Sequence, residues 1–167
     1  VLALKPDHAE ACHNLATALL QMSRPDEALV YYQRAFSLNP QNKTAQHLIA
    51  SLQGETIPEG APLEYVRALF DQYAYSYNAH VREVLGYQVP AELRNLLAKE
   101  LSSSNHLLMT LDLGCGTGLI APQFRDVCDK LIGVDLSANM LEVARNQGGY
   151  DNLILADVLS YLENSNL

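Results

Sequence analysis

Three features are scarce in this sequence, and each scarcity excludes something. Cysteine comes first: there are three, Cys12, Cys115 and Cys128. An odd number without CxxC spacing builds neither a disulfide framework nor a zinc site, so no metal is expected and a reducing compartment is the simple reading. Long apolar runs are missing as well. No stretch approaches the roughly 18 residues that mark a membrane span. The opening residues, Val1 to Pro6, have no initiator methionine, basic leader or apolar core of a signal peptide. These features predict a cytoplasmic chain with no membrane attachment. Because it starts in mid-pattern, it reads as a fragment of a longer protein. Basic residues are the third scarcity, with 11 Lys and Arg against 19 Asp and Glu and a net charge of −8. Residues 1–54 balance four basic against four acidic side chains, while residues 55–167 hold seven against fifteen. Non-specific nucleic-acid binding needs a basic patch to neutralise phosphates, and neither half has one. A specific RNA substrate stays open. What the chain has is apolar content, 49% hydrophobic residues, enough for a real core.

The first third repeats itself. Pro6 and Pro40 stand 34 residues apart, and their surroundings match: Leu2-Ala3-Leu4-Lys5 against Phe36-Ser37-Leu38-Asn39. His8-Ala9-Glu10-Ala11-Cys12-His13 aligns with Asn42-Lys43-Thr44-Ala45-Gln46-His47, and Leu15-Ala16 with Ile49-Ala50. Leu15 and Leu19 share a face of one helix, and Tyr32 and Ala35 share a face of the next. Ser23-Arg24-Pro25-Asp26 is the turn between them, with Pro25 preset for a first helical turn. Small Ala16 and Ala28 sit where the two helices must approach closely. A 34-residue period of paired helices resembles the tetratricopeptide repeat, with Cys12 where a large residue is usual. One full repeat covers about residues 9–42, and a further first helix runs from Lys43 to about Gly54. Such arrays need about three repeats for stability, so more are expected upstream. The resemblance implies a concave surface for a protein or peptide partner; a spacer or dimerisation element is the plainer alternative. His13 and His47 share a repeat position, but no third ligand is spaced to complete a metal site.

Residues 54–62, with two Gly and two Pro, read as a linker. An apolar pattern at helical spacing then runs from Leu63 to Val84 and breaks at Gly86. A second helix starts at Pro90 and reaches Leu101, with Leu93, Leu96 and Leu97 on one face. Ser102 to Asn105 is a loop. His106 to Leu113 is mostly apolar, as expected for a central parallel strand buried on both faces. It leads into Leu111-Asp112-Leu113-Gly114-Cys115-Gly116-Thr117-Gly118-Leu119. Pro122 fits a helix running to about Asp129. Glycines permit a tight turn and let a ligand lie on bare backbone. The helix N-terminus would add N–H groups and partial positive charge. A second apolar strand, Lys130 to Asp135, ends in an acid 17 residues after Gly118, placed to accept hydrogen bonds from both ribose hydroxyls of a nucleoside. Ser137 caps the next helix, Gly148-Gly149 ends it, and Asn152 to Asp157 forms a third strand ending in an acid.

The GxGxG spacing, with Leu119 where a dinucleotide fingerprint has glycine, resembles class I methyltransferases that use S-adenosylmethionine. So do Asp112 two residues before the first glycine and the stretch Asp135-Leu136-Ser137 to Met140-Leu141-Glu142-Val143-Ala144-Arg145. Phe70-Asp71-Gln72-Tyr73-Ala74-Tyr75-Ser76-Tyr77-Asn78 resembles the segment that covers the cofactor pocket in such enzymes, with Asn78 in place of an acid. The combination with upstream repeats is similar to a bacterial group of repeat-containing methyltransferases. The resemblance implies a Rossmann-like, doubly wound parallel sheet, present as its N-terminal half only, following an α-helical repeat segment. Its domains would be 1–53 for the repeats, 54–62 for the linker and 63–167 for the methyltransferase part, with a helical lead-in at 63–101 and the Rossmann half at 106–167. It implies that Asp112, Gly114, Cys115, Gly116 and Gly118 shape the methionine end of S-adenosylmethionine, with Tyr77 approaching that end. Asp135 and Leu136 would hold the ribose and one adenine face, and Asp157 and Val158 the adenine edge. The structural alternative for Tyr77 is a core aromatic; for Cys115 it is a small loop residue, and a nucleophilic reading is weaker. Methyl transfer works mainly by proximity, and no general base is named. The acceptor half is missing, so this chain alone is expected to be a poor catalyst. An interaction protein with a vestigial Rossmann unit, and a nicotinamide oxidoreductase, are the competing readings. An incomplete sheet also suggests a homodimer through its exposed edge.

Overall fold

The computed structural model describes residues 1–55, 60–100 and 107–165. Leu101, the loop Ser102 to Asn105, the start of the first strand at His106 and residues 56–59 of the expected linker lie outside the described residues. Contacts divide the chain into two compact units, Val1–Val66 and Arg67–Leu167.

The first unit holds α1 (Ala9–Gln21), α2 (Pro25–Leu38), α3 (Lys43–Gln53) and the first turn of α4 (Leu63–Ala79). The 34-residue period reaches down to the caps. The His8 ring accepts a hydrogen bond from the Ala11 N–H, and 34 residues later the Asn42 carboxamide accepts one from Ala45. α3 ends on Gly54 in the left-handed region, as a glycine cap allows. Ala16 and Ala28 are fully buried, which lets α1 and α2 pack closely, and Cys12 is buried in the place of a larger side chain. Tyr32 fills the core between Leu19 and Leu48. Thr17 donates its hydroxyl to the His13 carbonyl, so the 3.0 Å contact between Tyr32 and Thr17 has the phenol as donor. Replacing Tyr32 with Phe removes that bond and little volume. The expected cost is about 1 kcal/mol, read as a lower urea midpoint with an unchanged slope.

The second unit is a parallel sheet with its helices. β1 (Leu107–Leu113), β2 (Cys128–Asp135) and β3 (Asn152–Leu155) pair in the order β1-β2-β3, with Leu113 opposite Val134 and Asp135 opposite Leu155. Here β2, not β1, is the central strand. Leu131 and Val134 are fully buried, whereas Met109 and Leu113 on β1 are well exposed. Among the described residues β1 pairs on one edge only, with β2, and Met109 and Leu113 are not buried as expected for a strand covered on both faces.

The connection after β1 also differs from expectation. α6 is one turn, Ala121–Phe124; a 3-10 turn, Arg125–Val127, follows, and β2 already begins at Cys128. Arg125 explains the early stop. Its guanidinium donates to the Cys128 and Asp129 carbonyls and to the Asp151 carboxylate at 2.5 Å, drawing the chain into the sheet. A one-turn helix has little macrodipole, so the helix-terminus charge expected for a ligand is small here.

α7 (Ala138–Gln147) packs on β2 and β3. β3 stops at Leu155, short of the expected Asp157, which instead caps α8 (Val158–Asn164). The lead-in is α4, a π-helical turn at His80–Val84, and α5 (Val89–Glu100). Their apolar stripes are only partly covered: Ala74 and Val81 are buried, but Leu69, Leu93 and Leu96 are exposed.

Candidate functional site

Parallel strands put their carboxyl ends on one side of a sheet, and ligands of open α/β sheets bind there. Three segments emerge on that side. They are the Gly114–Gly118 loop after β1, Asp135-Leu136 after β2, and Ala156-Asp157-Val158 after β3.

The loop is shaped by glycine. Gly114, Gly116 and Gly118 have φ of +75°, +52° and +86°, a region that side chains with a Cβ rarely adopt. The N–H groups of Gly114 and Cys115 both donate to the Val134 carbonyl, at 2.8 and 3.0 Å, which folds the loop across the end of β2. Gly118 is also pressed against the unit: a Cβ there would lie 3.1 Å from the Tyr150 ring and 3.2 Å from the Ala144 Cβ.

Asp135 ties the loop to the second strand end. One carboxylate oxygen accepts the Gly116 N–H at 2.8 Å and the other the Ser137 N–H at 2.8 Å. A carboxylate has about four lone-pair directions, so each oxygen keeps one for a further donor. The Asp135 carbonyl accepts from the Ala156 N–H at 3.0 Å, which brings the third strand end alongside. Leu136 follows, half-buried. Asp157 turns to its own helix, accepting from the Ser160 N–H and hydroxyl at 2.9 Å each. Those bonds hold its carboxyl below the usual carboxylate range. Val158 opens α8, half-buried.

Asp112 sits beneath the loop. Burial raises its pKa above the ordinary value, and the charge of Asp135 adds to that, against a lowering by the Tyr150 hydroxyl, which donates at 2.5 Å. A carboxyl raised in the folded state contributes stability that is fully present below its unfolded pKa and is lost as pH rises through its folded one. Asp112→Asn, which cannot ionise, is expected to gain stability relative to the parent chain between pH 4 and 7. Paired urea titrations at the two pH values check this; parallel curves would contradict it. Cys115 is buried, and burial first, then the charges of Asp112 and Asp135, push its thiol up. A thiol so placed is no nucleophile at neutral pH. Tyr77 is half-buried with its ring edge-on to Tyr73, centroids 5.2 Å apart; burial raises its pKa, and Asp135 is among the negative groups that add to it.

Three side chains to which the sequence assigned no role of their own organise this region. Asp71 on α4 accepts the Ser137 hydroxyl at 2.5 Å and the Asn139 N–H at 3.2 Å, while its own carbonyl accepts the Asn139 carboxamide. Ser137 in turn caps α7 through the Met140 N–H. Two turns along α4, Asn78 accepts the Thr117 hydroxyl at 2.5 Å. One helix thus holds both the glycine loop and the β2–α7 turn. The seven-residue spacing of Asp71 and Asn78 was visible, since it puts them on one helix face. Tyr150, from the turn after α7, is the third. Its ring fills the space left by the absent side chains of Gly118 and Gly133. No local pattern announced it. Among the described residues, no group of three His, Cys, Asp or Glu side chains could hold a metal ion, and no helix is long and apolar enough to cross a membrane.

Comparison with known proteins matches these two regions separately. Residues 9–42 match the tetratricopeptide repeat family model, and residues 111–165 match that of a methyltransferase domain. The two matches place a tetratricopeptide repeat region and a methyltransferase-domain region in succession along the sequence, the second on the parallel sheet described above. The chain is 37% identical over 87 residues to methyltransferase-like protein 27 of Homo sapiens, covering 52% of this chain and 35% of the relative. It is 28% identical over 103 residues to malonyl-[acyl-carrier protein] O-methyltransferase of Yersinia pestis, covering 60% of this chain and 35% of that one. The chain thus spans about a third of the length of these relatives. Among solved structures, magnesium protoporphyrin IX methyltransferase from Synechocystis PCC 6803 with bound SAM superposes with a TM-score of 0.48 and 17% identity, covering 61% of this chain and 57% of the other.

Proposed function

We propose that the second unit binds S-adenosylmethionine and that the protein transfers its methyl group to an acceptor. One observation carries the reading. Asp135 holds the glycine loop through Gly116 and still has a free lone pair on each oxygen, at the end of the strand next to that loop. The ribose hydroxyls would complete it. The bare loop would take the methionine part, beside Asp112 and Tyr77, with Cys115 as a small filler. Leu136 would lie on the adenine, and Asp157 with the Val158 N–H would read its edge.

The methyltransferase-domain match over residues 111–165 supports this cofactor. Its bound sulfonium supplies the reactive methyl group. The residues of this chain bind and orient, which is most of what such a transfer needs. We further propose that the repeats, residues 1–53, recruit a protein partner and that the sequence is divided by the linker at 54–62. The test is ultraviolet cross-linking of methyl-labelled S-adenosylmethionine to the chain. Label should map to the second unit and be competed by S-adenosylhomocysteine. Label that survives the competitor would refute the cofactor assignment.

A further inference from the structure

A cleft of ≈ 200 Å³ opens beside the glycine loop, lined by Arg82, Tyr87, Gln88, Pro90, Leu119 and Gln123 among others. Among the described residues no carboxylate lines it, and Arg82 carries the one full charge. In a region with fifteen acids against seven bases, that is an exception. Arg82 has no carboxylate partner among the described residues. The backbone is bent to form the cleft. The Leu85 N–H donates to the His80 carbonyl at 3.3 Å, the five-residue step of a π-turn, and the Tyr87 N–H donates to the Val81 carbonyl at 2.9 Å. This double closure returns Tyr87 and Gln88 toward the turn that carries Arg82.

We propose that this cleft is a carboxylate-binding subsite. A guanidinium is a planar fork matched to the two oxygens of a carboxylate. The carboxamides of Gln88 and Gln123 and the Tyr87 phenol supply the further donors that a carboxylate's remaining lone pairs need. Pockets for whole small molecules measure about 300–1,000 Å³. This cleft is smaller and takes one functional group of a larger ligand. Leu119, directly after the glycine loop, forms part of its wall, so the rest of that ligand would sit at the loop. Two carriers fit that chemistry if the methyltransferase reading holds: the amino-acid carboxylate of the cofactor, or a carboxylate on the methyl acceptor.

Calorimetric titration of the full chain and of Arg82→Gln tests this with four probes: S-adenosylhomocysteine, 5′-methylthioadenosine, glutarate and glutaramide. Arg67→Gln, which removes an exposed charge elsewhere in the unit, is the control. A cofactor carboxylate in the cleft predicts that Arg82→Gln weakens S-adenosylhomocysteine by about tenfold or more and leaves 5′-methylthioadenosine within about twofold. An acceptor carboxylate predicts saturable glutarate binding, no glutaramide binding, and loss of glutarate in Arg82→Gln with S-adenosylhomocysteine unchanged. The proposal is overturned if Arg82→Gln changes neither ligand, if Arg67→Gln has the same effect, or if S-adenosylhomocysteine is unchanged in Arg82→Gln while glutarate and glutaramide titrate alike. Should the parent chain bind no S-adenosylhomocysteine, the cofactor reading falls, while the two glutarate arms still decide the cleft.

Discussion

Replacing Asp135 with Ala is expected to lower the affinity for S-adenosylhomocysteine by at least about a hundredfold. Two hydrogen bonds from ribose hydroxyls to a carboxylate contribute about 1.5–3 kcal/mol each, and each 1.4 kcal/mol is tenfold in affinity. The substitution also removes the acceptor for the Gly116 and Ser137 N–H groups. Loop and strand end would then no longer be tied together before the ligand arrives. Asp135→Asn separates the two contributions. Its carboxamide oxygen can keep one backbone bond, but its amide group cannot accept from ribose. It should therefore fold like the parent chain and still bind about tenfold or more weakly. Full affinity in Asp135→Ala would move the ribose to another acceptor and remove the central residue of the site.

Gly118→Val should cost the second unit about 2–6 kcal/mol, from about 1–3 for a non-glycine residue held at positive φ and about 1–3 for overpacking. Gly118 is at φ +86°, and its added Cβ would crowd the Tyr150 ring and both Ala144 carbon atoms within 3.3 Å. Neither Tyr150, tethered to Asp112, nor the α7 backbone at Ala144 can retreat cheaply. Gly114→Ala is the matching control. Its φ is +75°, yet no atom lies within 4 Å of the added Cβ. It should show the strain alone, about 1 kcal/mol. Urea unfolding followed by a probe in the second unit distinguishes them; equal losses would mean that packing at Gly118 contributes nothing.

Much of this architecture was legible because it repeats or alternates. The 34-residue period located α1, α2 and α3, and the pairing of small Ala16 with small Ala28 located their contact. Glycines that need positive φ marked the loop after β1, since no other residue tolerates those angles at low cost. The exposure of β1 was not legible. An apolar strand looks the same at the centre and at the edge of a sheet until its neighbours are known. The early end of the α6 turn escaped as well, because it depends on Arg125 reaching carbonyls of the following strand. The site was read as a set of strand ends, and its supports were missed for a related reason. Asp71, Asn78 and Tyr150 act across separations of 66, 39 and 38 residues. Hydrogen bonds over such distances leave no local pattern. Asp71 and Asn78 could still have been found on the face of α4, where two polar side chains two turns apart interrupt an aromatic stripe.

A second unit that holds S-adenosylmethionine at the carboxyl ends of its strands, as proposed, should also bind S-adenosylhomocysteine. Calorimetric titration of this chain with S-adenosylhomocysteine, with NAD as the comparison ligand, tests it most directly. The expected result is saturable one-to-one binding of S-adenosylhomocysteine and no heat of binding from NAD. Saturable NAD binding without S-adenosylhomocysteine binding would contradict it and turn the same Asp135 into the ribose acceptor of a dinucleotide site.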